Sequence, residues 1–177
     1  MMIQITSTHL TRSENAMIRK YAKFVLDKFV RRGIQNRAKI HIRVHTQDEI
    51  KDPVDRRDFR QYRAWCTYDG HDGDIKNFTI FMNAKDVNTR AKMLPIRLKN
   101  LLINLGHELV HVKQYLNGEV FDYVSGDVRY KGAIFEAAWL EDEEAYYDSP
   151  WEIEAYGREW GLYSLFVRKL KEECSQK

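Results

Sequence analysis

The spacing of apolar positions changes twice along the first half of the chain. Ile3 and Ile5 make a short apolar start, and from Ser13 and Glu14 onward Met17, Tyr21, Phe24, Val25 and Phe29 recur at helical spacing until Gly33. This predicts an N-terminal helix. The segment AKIHIRVHT then alternates Ile40, Ile42 and Val44 with His41, Arg43 and His45, the period of a half-buried strand. FRQYRAWCTY and DIKNFTIFMN read as two further strands, joined through YDGHDGD, a Gly/Asp cluster suited to a hairpin connection. The layout expected is a helix followed by an antiparallel meander.

From Pro95 the period returns to helical. Leu98, Leu101, Leu102, Leu105, Leu109, Val112 and Leu116 form one broad stripe, closed by Asn117 and Gly118, so this helix should be central and largely buried. VFDYVSGDVRYKGAIF reads as a hairpin turning at Ser125-Gly126, and EDEEAYYD as an acidic, exposed connection. A last helical region starts at Ser149-Pro150 and runs through WEIEAYGREWGLYSLFVRKLKEE, with a break expected near Gly161. With no repeat or linker in view, residues 1–177 read as one α+β domain: an N-terminal helix on a small antiparallel sheet, a central helix, and a C-terminal helix.

The length of 177 residues suits one domain with a core of its own. The 29 basic and 26 acidic residues leave a net charge of +3, too even a balance to advertise nucleic-acid binding. The densest basic patch, Arg31, Arg32, Arg37 and Lys39, reads as surface. Cys66 and Cys174 show no CxxC spacing, which argues against a disulfide framework or a cysteine metal site. No secretory leader and no stretch approaching ~18 apolar residues is visible, so the expectation is a cytoplasmic protein without a membrane span.

Inside the central helix, LINLGHELVHVKQYLNG carries two histidines and a glutamate among apolar residues. His107 and His111 are four apart and share a helix face, so both imidazoles can reach one ion. Glu108 projects about 100° away, placed to touch a water on that ion rather than to ligate it. A zinc held by three protein groups keeps a fourth position for water and lowers its pKa toward ~7, and a nearby carboxylate can then take the proton. Glu108 is the candidate general base. A hydrogen-bonded histidine pair in the core is the plainer alternative, but burying three polar side chains without partners is costly, and a metal supplies the partner.

No histidine follows His111, so a third ligand drawn from downstream is a carboxylate. SPWEIEAYGRE offers Glu152 and Glu154 on a helix. Ser149, Pro150 and Glu152 also fit a capping box, which would leave Glu154 as the ligand.

Taken together, HELVH, RYKGAIF and PWEIEA resemble the gluzincin clan of zinc metallopeptidases, and within it the small single-domain, phage-type members. The resemblance implies a zincin-like fold, a Zn²⁺ cofactor, a peptide or protein substrate, and a third zinc ligand from a second helix downstream. Several such families carry that ligand in a Glu-x-x-Ala-Asp or Glu-x-x-Ala-Asn pattern. Glu152 with Ala155 matches it, which implies His107, His111 and Glu152 as the ligands, while Tyr156 stands where the Asp or Asn is found. Orientation of a ligand histidine would then fall to Asp148 or Asp122. FTIFMNA is also similar to the edge strand of thermolysin-like enzymes, which ends in Asn-Ala and pairs with an extended substrate; this implies substrate contacts at Asn83 and Ala84. Tyr123, Tyr130, Tyr147 and Tyr156 are candidate oxyanion donors, with plain packing the alternative for each. The rival reading is a zincin-like regulatory or nucleic-acid-associated protein that uses the Arg31/Arg32 patch and has restricted or no proteolytic activity.

Overall fold

A computed structural model describes residues 1–46, 49, 64–69 and 77–176. Its larger sheet has four strands, β1 (Met2–Ser7), β2 (Lys39–His45), β3 (Ala64–Asp69) and β4 (Asn77–Asn83), in the order β1-β2-β4-β3. β1 pairs with β2 in parallel, Ile3 opposite Ile40, and β2 pairs with β4 in parallel, Ile40 opposite Phe78. Parallel neighbours need a crossover connection, and α1 (Arg12–Phe29) provides the one between β1 and β2.

The sheet is therefore mixed, not the antiparallel meander the strand pattern suggested. Alternation of Ile40, Ile42 and Val44 reveals which face is buried, and says nothing about strand direction. Among the described residues of this sheet only β3 and β4 pair antiparallel, with Cys66 opposite Ile80. The YDGHDGD turn that would join them and the first half of FRQYRAWCTY lie outside the described residues.

One face of this sheet is sealed by the helices. Ile40, Ile42, Val44, Phe78, Ile80 and Met82 are fully or almost fully buried and share one core with Ile18, Tyr21, Val25 and Leu26 of α1. α1 opens with a capping box in which Thr11 and Glu14 satisfy each other, one residue pair earlier than the Ser13-Glu14 start the sequence suggests. Glu14 also accepts from Arg97, tying the start of α1 to α3 (Leu94–Arg97); α2 (Arg32–Gln35) is a single turn before β2.

α4 (Lys99–Leu116) is the central helix, with Leu101, Leu102, Leu105, Leu109 and Val112 completely buried. It ends at Asn117, and Gly118 follows at φ 68°, the left-handed conformation that glycine adopts at no steric cost. After it come three short strands, β5 (Val120–Asp122), β6 (Val128–Tyr130) and β7 (Ala133–Phe135), in an antiparallel sheet whose inner residues Val120 and Tyr130 pack on Trp151. Two short helices, α5 (Ala137–Leu140) and α6 (Glu143–Tyr147), lead to α7 (Pro150–Ser175), so the acidic connection is partly helical.

α7 packs along α4 and runs unbroken past Gly161, against the expected break. Gly161 faces open space, and a single exposed glycine costs a helix only about 1 kcal/mol, too little to interrupt one anchored by Ala155, Leu162 and Phe166. Among the described residues no helix is long and apolar enough to cross a membrane.

Candidate metal centre

α4 and α7 meet at the polar cluster. His107 and His111 stand on consecutive turns of α4, with their Nε2 atoms 3.1 Å apart. From the first turn of α7, Glu152 brings Oε2 to 3.2 Å from His107 Nε2 and Oε1 to 3.3 Å from His111 Nε2. One ligand atom from each of the three lies within 4.8 Å of the others, and the group can hold a metal ion.

Glu154 is turned elsewhere. It accepts hydrogen bonds from Lys113 Nζ at 2.8 Å, Gln114 Nε2 at 3.1 Å, Tyr130 Oη at 3.2 Å and Arg158 Nε at 3.0 Å. Ser149 does occupy the N-cap of α7, but its side chain makes no capping bond and its hydroxyl is buried without a hydrogen-bond partner. The capping-box alternative is thus not formed, and Glu152, not Glu154, is the carboxylate that joins the histidines.

The surrounding hydrogen bonds define which imidazole nitrogens carry protons. Gln114 Nε2 donates to Trp151 O at 3.0 Å and to Glu154, which fixes the amide so that its Oε1 can only accept. That oxygen faces His111 Nδ1 at 3.0 Å, so Nδ1 carries a proton and Nε2 is the nitrogen left to meet a cation, whether a second proton or a metal. At the other histidine, Glu159 Oε2 sits 3.4 Å from His107 Nδ1, an ion-pair contact without the alignment of a hydrogen bond. It favours the same tautomer. Two lone pairs and a carboxylate then point at one spot, an arrangement that repels itself unless a cation sits there.

Electrostatics express the same demand. Burial opposes a charge on His107, yet Glu152, Glu159 and Glu108 outweigh it and raise its pKa to about 10. His111 is raised in the same direction against its own burial, by Glu152 and Glu108. Glu152 is held well below the carboxylate range: its burial works the other way, and the two imidazoles prevail. Glu108, next to this group on α4 and only 5% exposed, has its carboxyl pushed up by burial, with the histidines pulling back.

The cluster lines a cavity of ≈ 620 Å³, together with Ala64, Trp65 and Cys66 of β3 and with Tyr146, Tyr147 and Tyr156. Tyr146 donates to Glu152 Oε1 at 2.9 Å, and the Tyr156 ring stands edge-on to His107 at 4.4 Å between centroids. Of the tyrosines singled out from sequence, Tyr147 and Tyr156 line the cavity, Tyr130 serves Glu154, and Tyr123 packs against Phe121 on the outer hairpin.

Two further expectations need correcting. β4 is bonded to β2 on one side and β3 on the other, so it has no free edge; Asn83 accepts from Lys85 N at 3.0 Å in the turn that follows, and neither Asn83 nor Ala84 lines the cavity. Among the described residues the edge strands are β1 and β3, and of these β3 borders the cavity. Nor does Asp122 or Asp148 orient a histidine: Asp122 accepts from Tyr115 at 2.8 Å and Tyr68 at 3.2 Å, and Asp148 closes α6. Glu159 and Gln114 occupy that role. Sequence reasoning missed both, together with Tyr146, although Glu159 lies seven residues beyond Glu152, two turns along the same helix face, and Gln114 lies one turn beyond His111.

Comparison with models of protein families, with curated proteins and with solved structures gives no match to this chain, and nothing there ties it to the gluzincin clan.

Proposed function

We propose that the chain is a zinc-dependent peptidase of gluzincin-like design, with His107, His111 and Glu152 as the metal ligands. The observation that carries this reading is the meeting of the three side chains beside a buried glutamate: the two Nε2 atoms lie 3.1 Å apart, each faces a different oxygen of Glu152, and one donor atom from each residue lies within 4.8 Å of the others. Tetrahedral zinc with bonds of about 2.0 Å sets neighbouring ligand atoms about 3.3 Å apart, close to the separation of the two Nε2 atoms, and two imidazoles with one carboxylate form a donor set of catalytic zinc sites. Zinc bound here would supply Lewis acidity toward a scissile carbonyl and a water molecule.

The remaining work falls to the protein's own groups. Glu108 takes a proton from the attacking water and passes it to the departing amine, which suits a carboxyl whose burial favours the neutral form. Tyr146 holds Glu152 in place, while Gln114 and Glu159 keep both Nε2 lone pairs directed at the metal position. An extended peptide has a backbone partner in the edge strand β3, whose residues Ala64, Trp65 and Cys66 border the cavity.

Hydrolysis of an unstructured protein substrate by zinc-loaded protein, compared with Glu108→Gln, tests the reading. The variant should keep its metal and lose roughly 10²–10⁴-fold in rate, the usual worth of a general acid–base group. Equal rates in the two proteins, or no hydrolysis by zinc-loaded wild type, would overturn it.

A further inference from the structure

The cavity wall contributed by the chain between Gly132 and Gly157 is unlike the rest of the molecule in charge. This stretch holds eight carboxylates and no Lys or Arg, in a chain whose net charge is +3. Glu152 and Glu154 are engaged as described above. The other six, Glu136, Glu141, Asp142, Glu143, Glu144 and Asp148, are all exposed, and none takes part in an ion pair among the described residues. The same stretch supplies Tyr146, Tyr147, Trp151 and Tyr156 to the cavity, with Glu143 one helical turn before Tyr146 and Tyr147 on α6.

Inside the cavity the pattern continues. Glu108 and Glu159 add carboxylates, and among the described residues the lining includes six aromatic side chains and no Lys or Arg. A low-dielectric cleft lined by charge of one sign focuses its field on the space within. Aromatic faces add attraction for ammonium and guanidinium groups. The exposed carboxylates of this stretch disfavour a phosphate backbone or an acidic peptide.

We infer that the cleft takes polypeptide segments carrying Lys or Arg beside the bond to be cut, the cationic side chain lying on the tyrosines of α6 and α7 under the carboxylates of the acidic lip. The cutting rests on the peptidase reading; the binding preference does not.

The test uses the zinc-loaded full chain and three fluorescein-labelled decapeptides that share a central Phe-Leu and differ only in flanking Lys, Glu or Ser. Binding is read by anisotropy on Glu108→Gln protein, and cleavage by mass spectrometry on wild type. The Lys peptide should bind at least about tenfold tighter than the Glu peptide, with the gap shrinking as salt rises. Glu143→Gln/Glu144→Gln should narrow the gap several-fold while leaving affinity for the Ser peptide unchanged. Tight binding of the Lys peptide without cleavage would support this inference and count against the peptidase. Equal affinities, or tighter binding of the Glu peptide or of a DNA oligonucleotide, would overturn the inference even where cleavage is seen.

Discussion

Gln114 Oε1 lies 3.0 Å from His111 Nδ1, and because Gln114 Nε2 is committed to Trp151 O and Glu154, the amide can only accept the imidazole proton. One buried side chain thereby decides which nitrogen of His111 is available to a metal. Removing it in Gln114→Ala should weaken zinc binding about 10–100-fold, the range seen when the hydrogen-bond partner of a ligand histidine is lost. Competition against a chromophoric chelator measures this, and Gln114→Glu, which keeps an acceptor in place, should recover part of the affinity. Unchanged affinity in Gln114→Ala would remove the tautomer argument.

Tyr146 donates to Glu152 Oε1 at 2.9 Å. Tyr146→Phe keeps the ring in the cavity wall and removes the hydroxyl that donates to Glu152, so zinc affinity should fall about tenfold with little change in stability. Chelator competition and urea denaturation on the same protein separate the two effects. A large loss of stability with intact zinc binding would make Tyr146 a packing residue.

Gly106 precedes His107 where α1 crosses α4 and α7. A Cβ at this position would sit 2.5 Å from Tyr21 Oη, and the Tyr21 ring is fully buried against Phe24 and Phe166, so it has little room to yield. Gly106→Ala should cost about 1–3 kcal/mol despite the better helix propensity of alanine. Tyr21 Oη is buried without a hydrogen-bond partner, so Tyr21→Phe should be nearly neutral alone and relieve most of the cost in the double variant. Additive losses in the double-mutant cycle would show that the contact is not the cause.

Glu154 is tied to a buried lysine rather than to the metal position. Burial works to raise its pKa, but Lys113, Gln114 and Lys131 hold it down to about 2. A carboxylate depressed on folding stabilises the folded state fully above its ordinary value near 4.5 and loses that contribution as pH falls through about 2. Urea midpoints should therefore decline between pH 4.5 and 2. Lys113→Met should cost about 3 kcal/mol at pH 7 and flatten that decline, because Glu119 and Glu154 lose their shared cation. An unaltered pH profile in the variant would separate Glu154 from Lys113.

How much of this was legible in sequence follows from the range of the interactions. His107, Glu108 and His111 sit within one helix turn and a half, and helical period alone places them on it. Glu152 was visible as one of two candidates; choosing between it and Glu154 took the packing of α7 on α4, where the two carboxylates point to different partners. The strand pattern identified buried faces at Ile40, Ile42 and Val44 but not that β2 and β4 run parallel, since direction depends on a pairing set far along the chain. That same pairing puts β4 inside the sheet and leaves β3 at an edge among the described residues, and it takes Asn83 and Ala84 away from the cleft. Glu159 shows the opposite case: seven residues beyond Glu152, it is placed on the same helix face by helical spacing alone.

Zinc stoichiometry by elemental mass spectrometry tests the central claim most directly, on wild type, Glu108→Gln, Glu152→Ala and Glu154→Ala purified without added metal. The expected result is about one zinc per chain in wild type, Glu108→Gln and Glu154→Ala, and none retained by Glu152→Ala. A wild-type protein that holds no zinc and cannot be loaded with it, or a Glu152→Ala protein that binds zinc as well as wild type, would contradict the account.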